Sequence, residues 1–327
     1  MNKRNNIVDI IKFLAAILVI FSHSHSLSNL SKDIVTRFVD GVSLGSFAVA
    51  IFFTFSGYFI MRSLMTKGDK GFIKNRIKRI LPELIIVVTL TVLIVGPLFT
   101  SYSVINYFFN INTYKYFLNA VMIPYHFLPG VFTNNIYGST VNGALWTIPV
   151  EFCCYIFLFI CYKLGIAERK RMMIELSAIS IVGYFALHMI NSKFLLTSVR
   201  PVVIFIYSAT LYYYNKISKD QITFAVIISV ILLLLKNIVC YNLFLIIFLP
   251  IIIIYIIKNI NVKNKVFAYL GDLSYPIYLV GFVVQQSIVS IFGGTMNVYA
   301  NFSLAVLIAI ILAIPINYLS KVILKRR

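Results

Sequence analysis

The chain has 327 residues, of which 60% are hydrophobic and only 12% are charged, and its mean hydropathy is +0.92. This balance excludes a water-soluble globular protein with a polar surface and indicates an integral membrane protein. The formal net charge of +19 does not indicate a nucleic-acid-binding protein, because the basic residues follow the ends of apolar runs and form no single soluble face. Anionic membrane lipids are sufficient partners for most of these charges.

Apolar runs close to the length that crosses a bilayer recur along the whole chain. They are too continuously apolar for barrel strands, which alternate at every second residue. The sequence therefore predicts an all-α integral membrane protein, with about ten transmembrane helices in one bundle and a single polytopic domain over residues 1–327. The predicted spans are 7–27, 43–65, 82–100, 142–164, 173–191, 199–214, 221–236, 238–257, 267–291 and 301–322.

The distribution of lysine and arginine predicts the orientation of these spans. With the N-terminus inside, 22 of the 29 basic residues fall in cytoplasmic segments and 6 in outer segments, while Lys12 lies within the first span. Short cytoplasmic loops are enriched in lysine and arginine, so both termini are predicted to be cytoplasmic.

The first predicted span, "IIKFLAAILVIFSHSHS", carries ionisable residues that a lipid-embedded helix ordinarily avoids. Lys12 and His23 are 11 residues apart, which places them on one helical face, about 16 Å apart along the axis. Asp9 is spaced to pair with Lys12. This pattern favours a polar path from the cytoplasmic side outward; the alternatives are a Lys12 that reaches the headgroups and a His23 in the outer interface. His25 points about 200° away from His23 and is secondary.

The longest segment between predicted spans, residues 101–141, is expected on the outer side. It is rich in tyrosine, phenylalanine and asparagine and contains His126. Segments of this length are usually functional or partly re-entrant, so we interpret it as a cap or acceptor-binding element, with a solvated loop as the alternative. No group of residues has metal-ligand spacing, and no metal site is predicted.

Five motifs along the chain together resemble the acyltransferase-3 family of membrane acyltransferases, which includes O-acetyltransferases of cell-surface polysaccharides. They are Lys12 and His23 in an "(R/K)-x10-H" pattern, Phe52, Phe53, Ser56 and Gly57 in "AVAIFFTFSGYFI", Arg76 and Arg79 in "RIKRILP", Trp146 and Glu151 in "NGALWTIPVEFCCY", and the late segment "LGDLSYPIYLVGFVVQQ". One departure concerns Gly281, which stands near the place where many relatives have a histidine. No function is assigned to that position.

The resemblance implies transfer of an acyl group, usually acetyl from cytoplasmic acetyl-CoA, to a hydroxyl of a cell-envelope glycan. The expected acceptor is a surface polysaccharide or its lipid-linked precursor, at the inner, cytoplasmic membrane of a bacterial-type cell. Because no hydrolase-like domain follows the last span, the acyl group is expected to pass directly to the glycan or to a separate protein.

The basic residues suit the anionic nucleotide end of coenzyme A. Arg76, Lys78 and Arg79 are predicted to bind its phosphates, since guanidinium groups bind phosphate oxygens bidentately. An ordinary positive-inside loop is the alternative for these three residues. Lys12 is expected to contact a phosphate or a carbonyl group farther along the path.

The attacking hydroxyl must lose its proton, and a histidine is suited to accept it at neutral pH. His23 is the predicted general base, and Glu151 is the predicted catalytic partner that orients it, with a structural hydrogen bond as the alternative for Glu151. Trp146 is interpreted primarily as an aromatic residue of the membrane interface, and secondarily as a residue on which a sugar of the acceptor stacks. His25 and His126 are further candidate acceptor contacts. The Ser56–Gly57 pair is expected to permit close helix packing.

The competing interpretation is a secondary transporter or flippase, in which the same intramembrane charged residues form a proton relay. The chain shows neither an inverted repeat nor paired helices broken by glycine or proline, which disfavours it. A noncatalytic scaffold would leave the Lys12 and His23 pattern unexplained. The sequence leaves open the sugar and hydroxyl, the acyl chain, transfer with or without an acyl-enzyme, and the oligomeric state.

Overall fold

The structure is a computed structural model that describes residues 5–29, 31–39, 41–189, 193–214, 216–293 and 296–324, and these residues are mostly helical. Its α-helices are α1 (Ile7–Asn29), α2 (Ile34–Phe38), α3 (Leu44–Lys67), α4 (Phe72–Leu90), α5 (Gly96–Phe99), α6 (Val104–Phe109), α7 (Ile111–Lys115), α8 (Thr147–Lys163), α9 (Lys170–Met189), α10 (Lys193–Thr210), α11 (Lys219–Leu234), α12 (Ile238–Leu243), α13 (Leu249–Asn259), α14 (Lys265–Phe292) and α15 (Val298–Ile323). The all-α fold class is therefore confirmed for the described residues.

Polar side chains fix the starts of several long helices. At α3, Ser43 accepts a hydrogen bond from the backbone of Ser46, and the Ser46 hydroxyl accepts one from the backbone of Ser43. Ser218 and Gln221 form the same reciprocal capping box at the start of α11. Each pair satisfies backbone N–H groups that the first helical turn leaves without intrahelical partners.

Two long helices contain a widened turn just before a proline. Thr91–Val95 joins α4 to α5, with Pro97 following, and Phe244–Phe248 joins α12 to α13, with Pro250 following. Both are π-helical, because proline lacks the N–H group and its ring displaces the carbonyl one turn earlier. The joined helices run without a break over Phe72–Phe99 and Ile238–Asn259.

Six helices in the described part of the chain are long and apolar enough to cross a membrane: Ile7–Ser28, Leu44–Lys67, Phe72–Phe99, Ile238–Asn259, Lys265–Phe292 and Val298–Ile323. The chain is therefore a multi-pass membrane protein. The remaining predicted spans coincide with α8 to α11, of which α8 has 17 residues and α11 has 16. The predicted count of about ten spans therefore stays a prediction. The predicted orientation also stays a prediction, and the terminal residues 1–4 and 325–327 lie outside the described residues.

The chain forms two compact units. One comprises the described parts of residues 1–8, 34–73 and 150–263, and the other comprises those of 9–33, 74–149 and 264–327. We call them the α3/α10 unit and the α1/α14 unit. In the α3/α10 unit, a Cβ atom at Gly57 would lie 2.2 Å from the carbonyl oxygen of Phe205. The expected close helix packing at this glycine is thus confirmed, since a larger residue would force α3 and α10 apart.

In the α1/α14 unit, α14 is held by two fully buried glutamine side chains. The Nε2 atom of Gln285 lies 2.6 Å from the Ser24 hydroxyl of α1 and 3.0 Å from Oδ1 of Asn301 on α15. Gln286 donates to the carbonyl oxygen of Thr140, and its own Oε1 accepts from Asn135 at 2.8 Å. Residues 135–140 are therefore fixed to the middle of the unit rather than forming a free loop.

Candidate active site

The first helix has the geometry that the sequence predicted for its polar face. Helix α1 is continuous from Ile7 to Asn29, so Lys12 and His23 share one face, about three turns apart. Asp9 is buried, and Lys12 is partly buried one turn later. Both ionisable residues in the N-terminal half of α1 therefore lie against protein, as expected for functional polar groups in a span.

His23 lies at an aromatic contact with α14. Its imidazole meets the ring of Phe282 edge to face, with the centroids 5.0 Å apart. The Nδ1 atom is buried and has no hydrogen-bond partner among the described residues. A buried polar atom without a partner is unfavourable, and native proteins retain few of them outside functional sites.

Asp33 is a residue near His23 that the sequence interpretation missed. Its side chain is buried, it accepts a 2.5 Å hydrogen bond from the Ser22 hydroxyl, and it interacts electrostatically with His23. Asp33 immediately precedes α2, where an aspartate is typical of a helix cap, and only lysine and arginine were counted in the loops. Its closeness to His23 is a tertiary contact, which no local pattern predicts.

The second histidine of α1 is held differently. The Nδ1 atom of His25 lies 3.0 Å from the Ser31 hydroxyl, and its ring packs edge to face on Phe21 at 5.1 Å. Because α1 remains helical at these positions, His23 and His25 point to different faces. The acceptor contact assigned to His25 stays a prediction.

The position of Gly281 has a steric explanation. A Cβ atom there would lie 2.8 Å from Cγ1 of Ile20, so α14 and α1 approach each other closely at this point. A histidine at position 281 would have to displace Ile20 from the packed contact. Glycine here thus serves the close packing of α14 against α1, and the position has no assigned chemical role.

Glu151 belongs to the α3/α10 unit, whereas His23 belongs to the other unit. The Oε1 atom of Glu151 accepts short hydrogen bonds from the hydroxyl groups of Ser56 on α3 and Tyr155 on α8. The Ser56 and Tyr155 oxygens are themselves 3.4 Å apart. Two motifs that are far apart in sequence, "FTFSG" and "WTIPVE", therefore meet at one carboxylate. The proposed pairing of Glu151 with His23 stays a prediction.

The predicted donor-binding residues lie in the first eight residues of α4. Arg76 and Arg79 are three residues apart and share a face, with Arg76 partly buried and Arg79 exposed. Lys78 is exposed on another face. The first eight residues of α4 thus carry three cations, two of them on one face.

Glu83, farther along α4, is a second acidic residue that the sequence interpretation missed. It is buried and accepts hydrogen bonds from Asn317 Nδ2 at 3.0 Å and Ser320 Oγ at 3.1 Å. Both partners lie on α15, and a buried carboxylate with two donors is a stable link between helices. The "LPE" sequence signals an acid within a span, but its partners were not identifiable from spacing.

Residues 101–141, the longest segment between predicted spans, are folded. Tyr107 and Tyr116 are fully buried in it, and burial raises the pKa of both hydroxyl groups above the ordinary tyrosine value. His126 Nδ1 lies 3.4 Å from the carbonyl oxygen of Asn142, and Trp146 is partly exposed in the turn before α8. The structure therefore disfavours a plain solvated loop, while acceptor contacts by His126 and Trp146 stay predictions.

These features define a multi-pass helical membrane protein with polar and ionisable side chains inside its helices. The sequence profile of the acyltransferase-3 family, an acyltransferase domain, matches residues 5–321, and the chain belongs to this family. The resemblance inferred from the five motifs is thus confirmed.

Two curated proteins are similar to part of the chain. An O-acetyl transferase of Shigella phage Sf6 is 30% identical over 155 residues, which are 47% of this chain and 44% of that protein. Nodulation protein 10 of Rhizobium leguminosarum bv. viciae is 29% identical over 160 residues, which are 47% and 43% of the two chains. The matches thus span less than half of either relative. No solved structure matches the chain.

Proposed function

We propose that this protein is a membrane O-acetyltransferase, a single acyltransferase domain that moves an acetyl group from cytoplasmic acetyl-CoA to a hydroxyl of a cell-envelope glycan. The acceptor is a surface polysaccharide or its lipid-linked precursor, and the site of action is the inner membrane. Family membership and the phage relative named O-acetyl transferase support the reaction class. The observation that carries the proposal is the His23 imidazole, which is buried at Nδ1 without a described partner.

In this proposal His23 is the general base. The acceptor hydroxyl loses its proton to His23 as its oxygen attacks the thioester carbonyl; the carbon–oxygen bond forms and the carbon–sulfur bond breaks. The imidazolium then returns the proton to the departing thiolate. Because Nδ1 is shielded, we assign the proton transfer to Nε2. The Asp33 carboxylate would stabilise the imidazolium that forms on His23 through its negative charge.

The donor would enter from the side of the basic helix start. Arg76, Lys78 and Arg79 would bind the phosphates of coenzyme A, and Lys12 would contact the carrier farther along α1. The roughly 16 Å between Lys12 and His23 along the helix axis leaves space for the extended thioester arm. Glu151 would support the reaction through the hydrogen-bonded group it forms with Ser56 and Tyr155.

The test is transfer of isotope-labelled acetyl from acetyl-CoA into membrane glycan, with wild type and His23→Ala expressed to equal levels. We expect label in glycan with the wild type, and a variant that binds acetyl-CoA equally well but transfers at least 100-fold more slowly, since general-base catalysis contributes about 10²–10⁴-fold. Arg171→Ala, a change at an exposed residue, is the matched control. Full transfer by His23→Ala would refute the base assignment. If acetyl-CoA remained intact with every acceptor-bearing membrane, the proposed acetyltransferase activity would be refuted.

A further inference from the structure

A buried arginine that has no role in the proposed reaction lies in the α3/α10 unit. Arg200 of α10 is 8% exposed, and its Nη1 donates a 2.9 Å hydrogen bond to Oδ1 of Asn242 on α12. It also interacts electrostatically with Tyr184 of α9 and Tyr241 of α12. In the part of the chain that the structure describes, all of these identified partners are uncharged.

A guanidinium group that is removed from water without an opposite charge is strongly unfavourable, and more so in a membrane protein. Neutral acceptors such as an amide oxygen satisfy some of its donors but do not compensate its charge. An anion from outside the chain would supply the missing charge. Arg200 therefore indicates an anion-binding site.

Helix α9 carries a further hydrogen-bond donor near Tyr184, which interacts with Arg200. His188 follows Tyr184 by four residues on α9 and so lies on the same helix face, one turn away. Its Nε2 atom is buried and has no hydrogen-bond partner among the described residues. A guanidinium fork, a tyrosine hydroxyl and an imidazole can together donate to several oxygens of one ligand. A tetrahedral phosphate group has the oxygens to accept them.

The position of this group within its unit bears on where the phosphate comes from. Helix α9 begins next to the basic connection at residues 163–171 and ends at Met189, so His188 lies at the far end of α9. Tyr241 lies in the first turn of α12, after the connection from α11. In the predicted orientation this end of the unit faces outward, on the opposite side from the phosphates of cytoplasmic coenzyme A.

We propose that Arg200, His188 and Tyr184 form a binding site for a phosphate or diphosphate group, and that the group belongs to a lipid-linked glycan acceptor. The assignment of the carrier rests on the proposed acetyl transfer, whereas the phosphate site does not. The site would hold the lipid end of the acceptor at the outer side of the unit. No bond is made or broken there.

The experiment is equilibrium binding of radiolabelled farnesyl diphosphate to the purified full chain in a non-ionic detergent. We compare wild type with Arg200→Met and with Arg171→Met, in which the lost arginine is exposed and paired with Glu175. We expect saturable binding by the wild type and by Arg171→Met, and at least tenfold weaker binding by Arg200→Met. Arg200→Lys, which keeps the charge but not the fork, should bind with intermediate affinity and covers the case in which the methionine variant fails to fold.

Competition distinguishes the sources of the phosphate. Farnesol should not displace the probe, because it lacks the anionic group. Weak displacement by inorganic diphosphate would support the lipid-linked carrier, whereas equal displacement would support a site for free phosphate. Unchanged affinity of folded Arg200→Met, or displacement by farnesol, would overturn the proposal. Since acetyl-CoA is absent, a failure of acetyl transfer would not change the result.

Discussion

The polar group around Glu151 and the polar group around His23 differ in how far the protein satisfies their hydrogen-bonding atoms. Glu151 accepts from two hydroxyl groups, those of Ser56 and Tyr155. At His23 the buried Nδ1 atom has no partner among the described residues, and Phe282 packs against the ring. A satisfied carboxylate fixes the helices that supply its donors, whereas the His23 imidazole, which no described residue holds through Nδ1, keeps Nε2 for proton transfer. From this comparison we assign a structural role to the group around Glu151 and proton transfer to His23.

The sharpest test of this contrast replaces each residue by glutamine. We expect His23→Gln to lower the initial rate of acetyl transfer by about 10²–10⁴-fold, because an amide is not a base at neutral pH. Glu151→Gln should lower it less than tenfold, since the amide oxygen still accepts from Ser56 and Tyr155. Rates of label incorporation at matched expression measure both. If Glu151→Gln lowered the rate of acetyl transfer as much as His23→Gln does, the carboxylate charge of Glu151 would take part in the reaction.

Glu151→Ala tests by thermal stability whether Glu151 has a structural role. It leaves the Ser56 and Tyr155 hydroxyls without their acceptor, and we expect a lower melting temperature in detergent, equivalent to about 1–3 kcal/mol. Glu151→Gln should melt close to the wild type. An alanine variant as stable as wild type would mean that the hydrogen-bonded group does not hold α3 and α8 together.

A smaller effect is expected at Asp33. Asp33→Asn removes the charge that acts on His23 but keeps an oxygen that can accept from Ser22. We expect acetyl transfer to fall by about tenfold, which corresponds to about 1.4 kcal/mol of transition-state stabilisation, with unchanged binding of acetyl-CoA. Ser22→Ala, which keeps the Asp33 charge, is the matched control and should transfer faster than Asp33→Asn. The opposite order would assign the effect to the hydrogen bond.

The helices and the α1 pattern were predictable because their signals are local. Long apolar runs predict spans, and an 11-residue spacing predicts a shared face as soon as the segment is helical. The widened turns before Pro97 and Pro250 were not predicted, although proline in a helix is a sequence signal. Their effect is to extend two of the spans beyond a single regular helix.

The partners of buried polar residues were the part that sequence could not supply. The Ser56–Glu151 and Glu83–Ser320 hydrogen bonds join residues 95 and 237 positions apart, and spacing carries no information on such contacts. Arg200 contributes to the sequence interpretation only through the count of basic residues, and such a count does not distinguish a buried guanidinium from an exposed one. Gly281 was noted as a departure, but its packing against Ile20 follows only from the approach of two helices.

The smallest effect of a substitution on the melting temperature is expected at a solvent-accessible ion pair, that of Lys163 and Asp69. Asp69, between α3 and α4, accepts a hydrogen bond from Lys163, and that bond lowers the pKa of the Asp69 carboxyl group. A carboxyl group whose pKa is lowered by folding contributes stability above its ordinary pKa and loses it as the pH falls through the folded value. Because the Lys163 side chain is 54% exposed and that of Asp69 is 33% exposed, solvent and salt screen the pair. We therefore expect Asp69→Asn to melt at the wild-type temperature at pH 7, in low and in high salt. A melting temperature of Asp69→Asn that falls below the wild-type value in low salt only would show that the Lys163–Asp69 pair stabilises the α3–α4 connection. In that case an exposed pair would stabilise the protein as a buried hydrogen-bonded group does.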